Sequence, residues 1–219
     1  MRHLLFCFVL FFASTLTVSA HVPLVVTQDT PRDVFVIDDP ELSQAFYGDL
    51  VGFPHTYEIR ATKPFHLYVQ VLVPDIDVAQ NIVSGIVIKQ VPGSGRVTEV
   101  ARLLAKDATW ESFYEPFGGD SYRKGGEYET DLEPGVYRVE MSTPDNLTKY
   151  VFVIGKNESS GGVGYFEMIG RIMDVKAFFG KSRIFVIESP YVYVPIGILL
   201  IAYGVYRWRK GRRDREQVL

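Results

Sequence analysis

The chain has 219 residues, 47% hydrophobic and 14% aromatic, with a formal net charge of −3. Those figures suit one globular domain with targeting segments, and they exclude a disordered chain, a collagen and a coiled coil. The charge balance also argues against a nucleic-acid partner, which calls for a clustered basic surface.

Residues 1–20 read as a secretory signal peptide. Arg2 and His3 give a positive start, residues 4–13 are a compact apolar run, and Val18-Ser19-Ala20 offers a cleavage site. The run is short for a membrane span. The only cysteine, Cys7, lies here, with no lipobox before it. Cleavage after Ala20 leaves a domain that starts at His21 and has no disulfide to hold it. That absence tilts the reading towards a prokaryotic source.

Residues 21–155 carry strand patterns. Short runs at 33–37, 55–60, 65–73, 82–89, 97–104, 135–141 and 149–154 are apolar or alternate. In the longest, Phe65, Leu67, Val69, Val71 and Val73 share one face. Pro74-Asp75, Pro92-Gly93-Ser94-Gly95 and Pro144-Asp145-Asn146 punctuate them as turns. The expectation is an all-β ectodomain, an antiparallel β-sandwich of jelly-roll or Ig-like type. Residues 39–47 are ambiguous, because Pro40 can start a helical turn.

Residues 156–164 (Asn157-Glu-Ser-Ser-Gly-Gly-Val-Gly164 within them) predict a flexible linker. Residues 165–183 predict an amphipathic juxtamembrane helix. Met168, Ile172, Val175 and Phe179 recur at helical spacing, with Arg171, Asp174 and Lys176 between them. Such a helix lies in the headgroup layer or docks on the sandwich. Its nearness to the next segment favours the membrane.

Residues 190–208 predict a transmembrane helix. Ser189 caps it and Pro190 suits its first position. About 19 residues span about 28 Å, the thickness of a hydrocarbon core. Tyr191 and Tyr193 mark one interface; Tyr203, Tyr206 and Trp208 mark the other. Residues 209–219 are a basic tail. With Arg207 it holds Arg209, Lys210, Arg212, Arg213 and Arg215 against Asp214 and Glu216, which makes it cytoplasmic by the positive-inside rule. The signal peptide requires the same orientation, so the expected place is the plasma membrane, single-pass, with the N-terminal domain outside. Setting aside Arg2 and these terminal charges, about 16 basic residues face about 24 acidic ones, near −8 for the outer domain.

Chemistry is sparse. There is no His-Glu-x-x-His, no Gly-x-Ser-x-Gly and no Walker lysine. The expectation is a non-enzymatic, membrane-tethered binding or structural module without a cofactor. Its partners would be membrane lipid and another envelope protein or a glycan. Trp110, Tyr114 and Phe117, in an aromatic cluster around Glu115, are candidate binding residues, with core packing as the plainer reading. Asp38, Asp39, Asp75, Asp77 and Asp120 are oxygen donors on expected loops but lack EF-hand spacing. Asn146 and Asn157 open sequons. The alternative function is copper binding. A free amine on His21 together with its imidazole and a second histidine, His66 or His55, would make a copper ligand set.

Three resemblances follow from these residues. Asp131-Leu-Glu-Pro-Gly-Val-Tyr-Arg-Val-Glu140, a polar turn and Lys149-Tyr-Val-Phe-Val-Ile154 resemble the closing hairpin of bacterial pre-peptidase C-terminal and related jelly-roll domains. In that family a Gly-x-Tyr corner leads into the penultimate strand, and the modules are accessory and non-catalytic. The resemblance implies that Tyr137 buries its ring and returns its hydroxyl to the backbone. His21-Val-Pro and residues 39–50 are similar to uncharacterised membrane-anchored prokaryotic proteins. The starting His21 resembles periplasmic copper-binding sandwiches of the CopC type, but the residues after it depart from that pattern.

Overall fold

The structure is a computed structural model that describes residues 21–91, 93–159 and 162–216. Residues 1–20, with Cys7 and the expected signal peptide, lie outside the described residues. Strands β1 (Val22–Val26), β2 (Val34–Ile37), β3 (Gln44–Asp49), β4 (His55–Ala61), β5 (Phe65–Pro74) and β6 (Ser84–Gln90) come first. Strands β7 (Val97–Leu103), β8 (Glu111–Glu115), β9 (Asp120–Leu132), β10 (Gly135–Ser142) and β11 (Lys149–Ile154) follow. Helix α1 (Tyr165–Phe178), a 3-10 turn (Arg183–Glu188) and helix α2 (Pro190–Glu216) complete the chain.

The strands form a six-stranded sheet, β1-β3-β11-β5-β9-β8, and a five-stranded sheet, β2-β4-β10-β6-β7. Their facing sides share one core. Phe46, Leu67, Val69, Tyr150 and Phe152 from the first sheet meet Ile37, Tyr57, Ile59, Val87, Val139 and Met141 from the second. At its centre the rings of Phe46, Tyr57 and Phe152 lie with centroids 4.9–6.1 Å apart. The buried hydroxyls are joined in a chain: His55 Nδ1 lies 3.0 Å from Tyr150 Oη, which lies 2.8 Å from Tyr57 Oη. Gly48 is needed beneath this chain, because a Cβ there would drive into the Tyr150 ring.

Two local expectations are corrected. The pairing is not wholly antiparallel: β1 pairs with β3, and β2 with β4, in parallel. Parallel neighbours need a crossover connection. Here each crossover is a strand of the opposite sheet, β2 between β1 and β3, and β3 between β2 and β4. Residues 44–49 form a strand, not the continuation of a turn begun at Pro40, because both faces are buried. Phe46 faces the inner core, while Ala45 and Tyr47 pack under α1.

The corner at Gly135 forms as its residues suggest. Tyr137 is buried, and its hydroxyl donates to Glu133 O at 2.6 Å. Tyr137→Phe is expected to lose about 1 kcal/mol, the net value of one such hydrogen bond. Chemical denaturation checks this, and an unchanged midpoint would show that the hydroxyl contributes nothing.

Helix α1 lays its apolar face on the outer side of the six-stranded sheet. Val175, Phe178 and Phe179 pack on Ala45, Tyr47, Leu72, Tyr122, Val151 and Val153. Met168 and Ile172 pack on Val22. Burying a side chain of this size contributes roughly 1.5–3 kcal/mol. The stripe of residues 168–179 therefore docks on the sheet, and the same face is not open to a headgroup layer. The start of the linker is anchored as well: Lys156 and Asn157 donate their backbone N–H groups to Glu41 O.

Candidate functional site

A buried polar constellation lies where β9, α1 and the 3-10 turn converge on the start of α2. Lys176 had looked like part of the polar face of α1. It is instead fully buried. Its Nζ lies 3.2 Å from Asp120 Oδ2 and 2.8 Å from Glu188 Oε2. Lys181 Nζ lies 2.7 Å from Asp120 Oδ1. Asp120 is itself buried, at the first position of β9. The Lys176 salt bridge to Glu188 holds the Glu188 carboxyl below the usual glutamate range. Three segments distant in sequence are thus fastened by two ammonium groups and two carboxylates.

Beside this cluster is a cleft of about 30 Å³ lined by His21, Tyr47, Glu115, Phe117, Met168 and Ile172, among others. Burial pushes the Glu115 carboxyl up, and backbone N–H groups of Gly118 and Phe117, at 2.6 and 2.7 Å, work against that shift. Burial lowers the His21 imidazole. Tyr47 and Tyr122 share a hydrogen bond of 2.8 Å, and burial raises both phenols. A water needs roughly 10–15 Å³ of such space, whereas small-molecule pockets enclose roughly 300–1,000 Å³. The cleft takes a water or two. What this arrangement does chemically is fasten one element to another.

The candidate copper ligands are not brought together. His21 Nδ1 lies 2.5 Å from Ser43 Oγ, beside β3. His55 is buried against Tyr150. His66 stands on β5, three strands away from β1, which at about 4.8 Å per strand is roughly 14 Å. Both of its ring nitrogens are occupied, by Asp131 Oδ1 and Glu129 Oε1 at 2.7 Å each. Among the described residues no group of three or more His, Cys, Asp or Glu side chains converges on a metal position.

The Asp131 and Glu129 hydrogen bonds raise the His66 pKa above its ordinary 6.5. Whatever stability the pair contributes is fully present below pH 6.5 and is lost as pH rises through the higher folded value. NMR titration is expected to place His66 above 6.5, and Asp131→Asn to bring it down. A value at or below 6.5 in the parent protein would refute the geometry.

The candidate aromatic residues also separate. Trp110 packs against the inner core, over Gly125, and donates Nε1–H to Ala105 O at 3.1 Å. Tyr114 is exposed on the edge strand β8. Phe117 lies edge-on to Tyr191 at 4.7 Å, at the junction with α2. They form no single platform. Three of the five acidic loop candidates are in structural use: Asp39 accepts N–H groups of Glu41 and Leu42, Asp75 pairs with Arg123, and Asp120 is the buried partner of Lys176 and Lys181. Sequence reasoning missed the Asp120–Lys176 pair. Its only visible signal was a lysine one residue after Val175, next to the apolar stripe of the helix.

Helix α2 begins as expected, with Ser189 Oγ accepting the N–H of Tyr191. Within its segment Pro190–Arg213 the most apolar window of 18 residues has a mean hydropathy of 1.2, and none of that window is buried inside the protein. By length and composition it is able to cross a membrane.

No family model and no curated protein matches the chain. Among solved structures, the chain is similar to the pre-peptidase C-terminal domain of a collagenase from Bacillus anthracis. The identity is 12% and the TM-score 0.35, over 58% of this chain and 98% of that one.

Proposed function

We propose that the protein is a single-pass, extracytoplasmic β-sandwich module fixed to the plasma membrane by α2, and that it works by binding or by structural support, without catalysis. The observation that carries this is the apolar surface of α2, none of whose most apolar window is buried in the protein. Water is a poor solvent for Ile198, Leu199, Leu200 and Ile201 side by side. The following run of arginines and lysine favours a cytoplasmic tail. Successive strands alternate between the two sheets from β1 to β6 and again from β9 to β11, which supports a jelly-roll sandwich over an Ig-like one. The polar junction supports a positional role, since its charged groups are paired with one another instead of facing a substrate-sized space. The surface displayed outward is acidic and suits an envelope protein or a glycan.

Protease added to spheroplasts is expected to digest the sandwich and to spare an epitope on the tail. A protected sandwich would overturn the topology. A reproducible hydrolytic activity of the purified protein would overturn the non-catalytic role.

A further inference from the structure

We infer that the sandwich does not swing from its anchor but rests on the outer leaflet through four side chains, Phe166, Ile184, Phe185 and Ile187, which insert among the lipids. This rests on the reading that α2 spans the membrane.

The four side chains are 84%, 73%, 44% and 53% exposed. Single exposed apolar residues need no explanation. These four surround one point, the entry to α2. Ile184, Phe185 and Ile187 stand on the 3-10 turn that ends two residues before Pro190. Phe166 is tied to the same place through Tyr165, whose ring lies 5.4 Å from Phe166 and 5.9 Å from Tyr191, and whose hydroxyl donates to Tyr191 O.

Chain geometry sets their depth. Extended backbone at Ser189 rises about 3.3 Å per residue, so the end of the turn at Glu188 lies roughly 7 Å along the chain from Pro190. With Pro190 at the edge of the hydrocarbon, that end falls in the interfacial layer, which is about 5–8 Å deep on each side, and a turn running along the membrane plane keeps Ile184, Phe185 and Ile187 in the same layer. The turn is also held in place. Glu188 is bound to Lys176, Val186 packs beside Met168 and Ile172, and Phe117 packs on Tyr191. A pinned apolar turn one step outside a span has lipid as its neighbour.

The chemistry selects neutral lipid over anionic headgroups. The basic residues nearby are already paired: Lys181 with Asp120, Arg183 with Asp174 and Arg171 with Glu167. The outer domain is acidic as a whole. Insertion is therefore driven by apolar burial, with little attraction to anionic lipid. The apolar face of α1 plays no part, because the sheet covers it.

The test uses the full chain in a Cys7→Ser background, reconstituted in phosphatidylcholine vesicles. Single cysteines from Phe166→Cys, Phe185→Cys, Val97→Cys and Leu200→Cys carry an environment-sensitive fluorophore. All four replace exposed side chains, so folding is preserved. Probes at 166 and 185 are expected to emit to the blue of the probe at 97, and to be quenched by lipids with a spin label near the headgroup. The probe at 200 is expected to be quenched by a label deep in the acyl chain. If 200 is quenched and 166 and 185 behave like 97, the inference fails and the span stands. If 200 is not quenched, the span fails and the inference with it. A blue shift at 166 and 185 without lipid quenching means that protein covers them, which also overturns the inference.

Discussion

Lys176→Met is expected to lose roughly 3–5 kcal/mol of folding stability, the range for breaking a buried ion pair on one side. Both partners at the core of this pair have side chains with no exposure, so screening by solvent does not soften the loss. Methionine matches the stem of the lysine but leaves Asp120 with only Lys181. Glu188 is partly exposed and rehydrates, so the damage centres on Asp120. Lys176→Met/Asp120→Leu is expected to recover much of the loss, because apolar replacement of a whole buried pair is often neutral or stabilising. Denaturation of the full chain in detergent measures both variants. A single variant within about 0.5 kcal/mol of the parent, the usual scatter of surface substitutions, would show that the pair is structurally idle. Acid acts on the same cluster. The Glu188 carboxyl is depressed by Lys176, so its contribution is present above pH 4.5 and is lost as pH falls through the lower folded value.

Gly155→Ala is expected to cost roughly 2–5 kcal/mol. Gly155 ends β11 with a φ of +73°. Its N–H donates to Tyr68 O at 3.0 Å, and the turn it makes lets Lys156 and Asn157 reach Glu41 O. An L-residue in this backbone region loses about 1–2 kcal/mol. The new Cβ would also lie 2.5 Å from Glu41 O and closer still to Leu42 O. Both are backbone atoms with no rotamer to yield, so overpacking adds about 1–3 kcal/mol. In a chain of this length each kcal/mol moves Tm by about 2–4 °C. A thermal scan should therefore show a fall on the order of 10 °C. A fall under about 2 °C would mean that the turn relaxes freely and the contacts are not rigid.

Much of the fold was legible where one face of a strand is buried and the other is wet. β11 is buried on both faces and was legible for another reason: a turn on one side and Gly155 on the other punctuate it at its observed bounds. β3 was not legible. Asp39-Pro-Glu carries a local helix-start signal, and only its place between β1 and β11 makes it a strand. β9 was missed for a different reason. Lys124-Gly-Gly-Glu127 breaks the alternation in the middle, and the extra residue forms a bulge in β9 itself, where Gly125 and Gly126 stand against Val71 alone. The polar junction was hidden because Asp120 and Lys176 are 56 residues apart, and each alone reads as a surface charge. The histidines were legible as donors but not as separate neighbours, since only the strand order puts β1 and β5 three places apart.

The strand order also fixes when the domain can fold. β3 completes its pairing with β11, joining Phe46 to Phe152, and β4 with β10, joining Tyr57 to Val139. Each sheet therefore has at its centre a strand from early in the chain next to one from near its end. No early segment can assemble a closed half and wait for the rest. This is a topology of high contact order, of the kind that folds in milliseconds to seconds instead of microseconds. A chain leaving a narrow exit with its N-terminus first can pair β6 with β7 and β8 with β9 early, but neither sheet can be joined up until β10 and β11 are clear. It would then close in one cooperative step, with α1 and the buried Lys176 arriving last as the clasp.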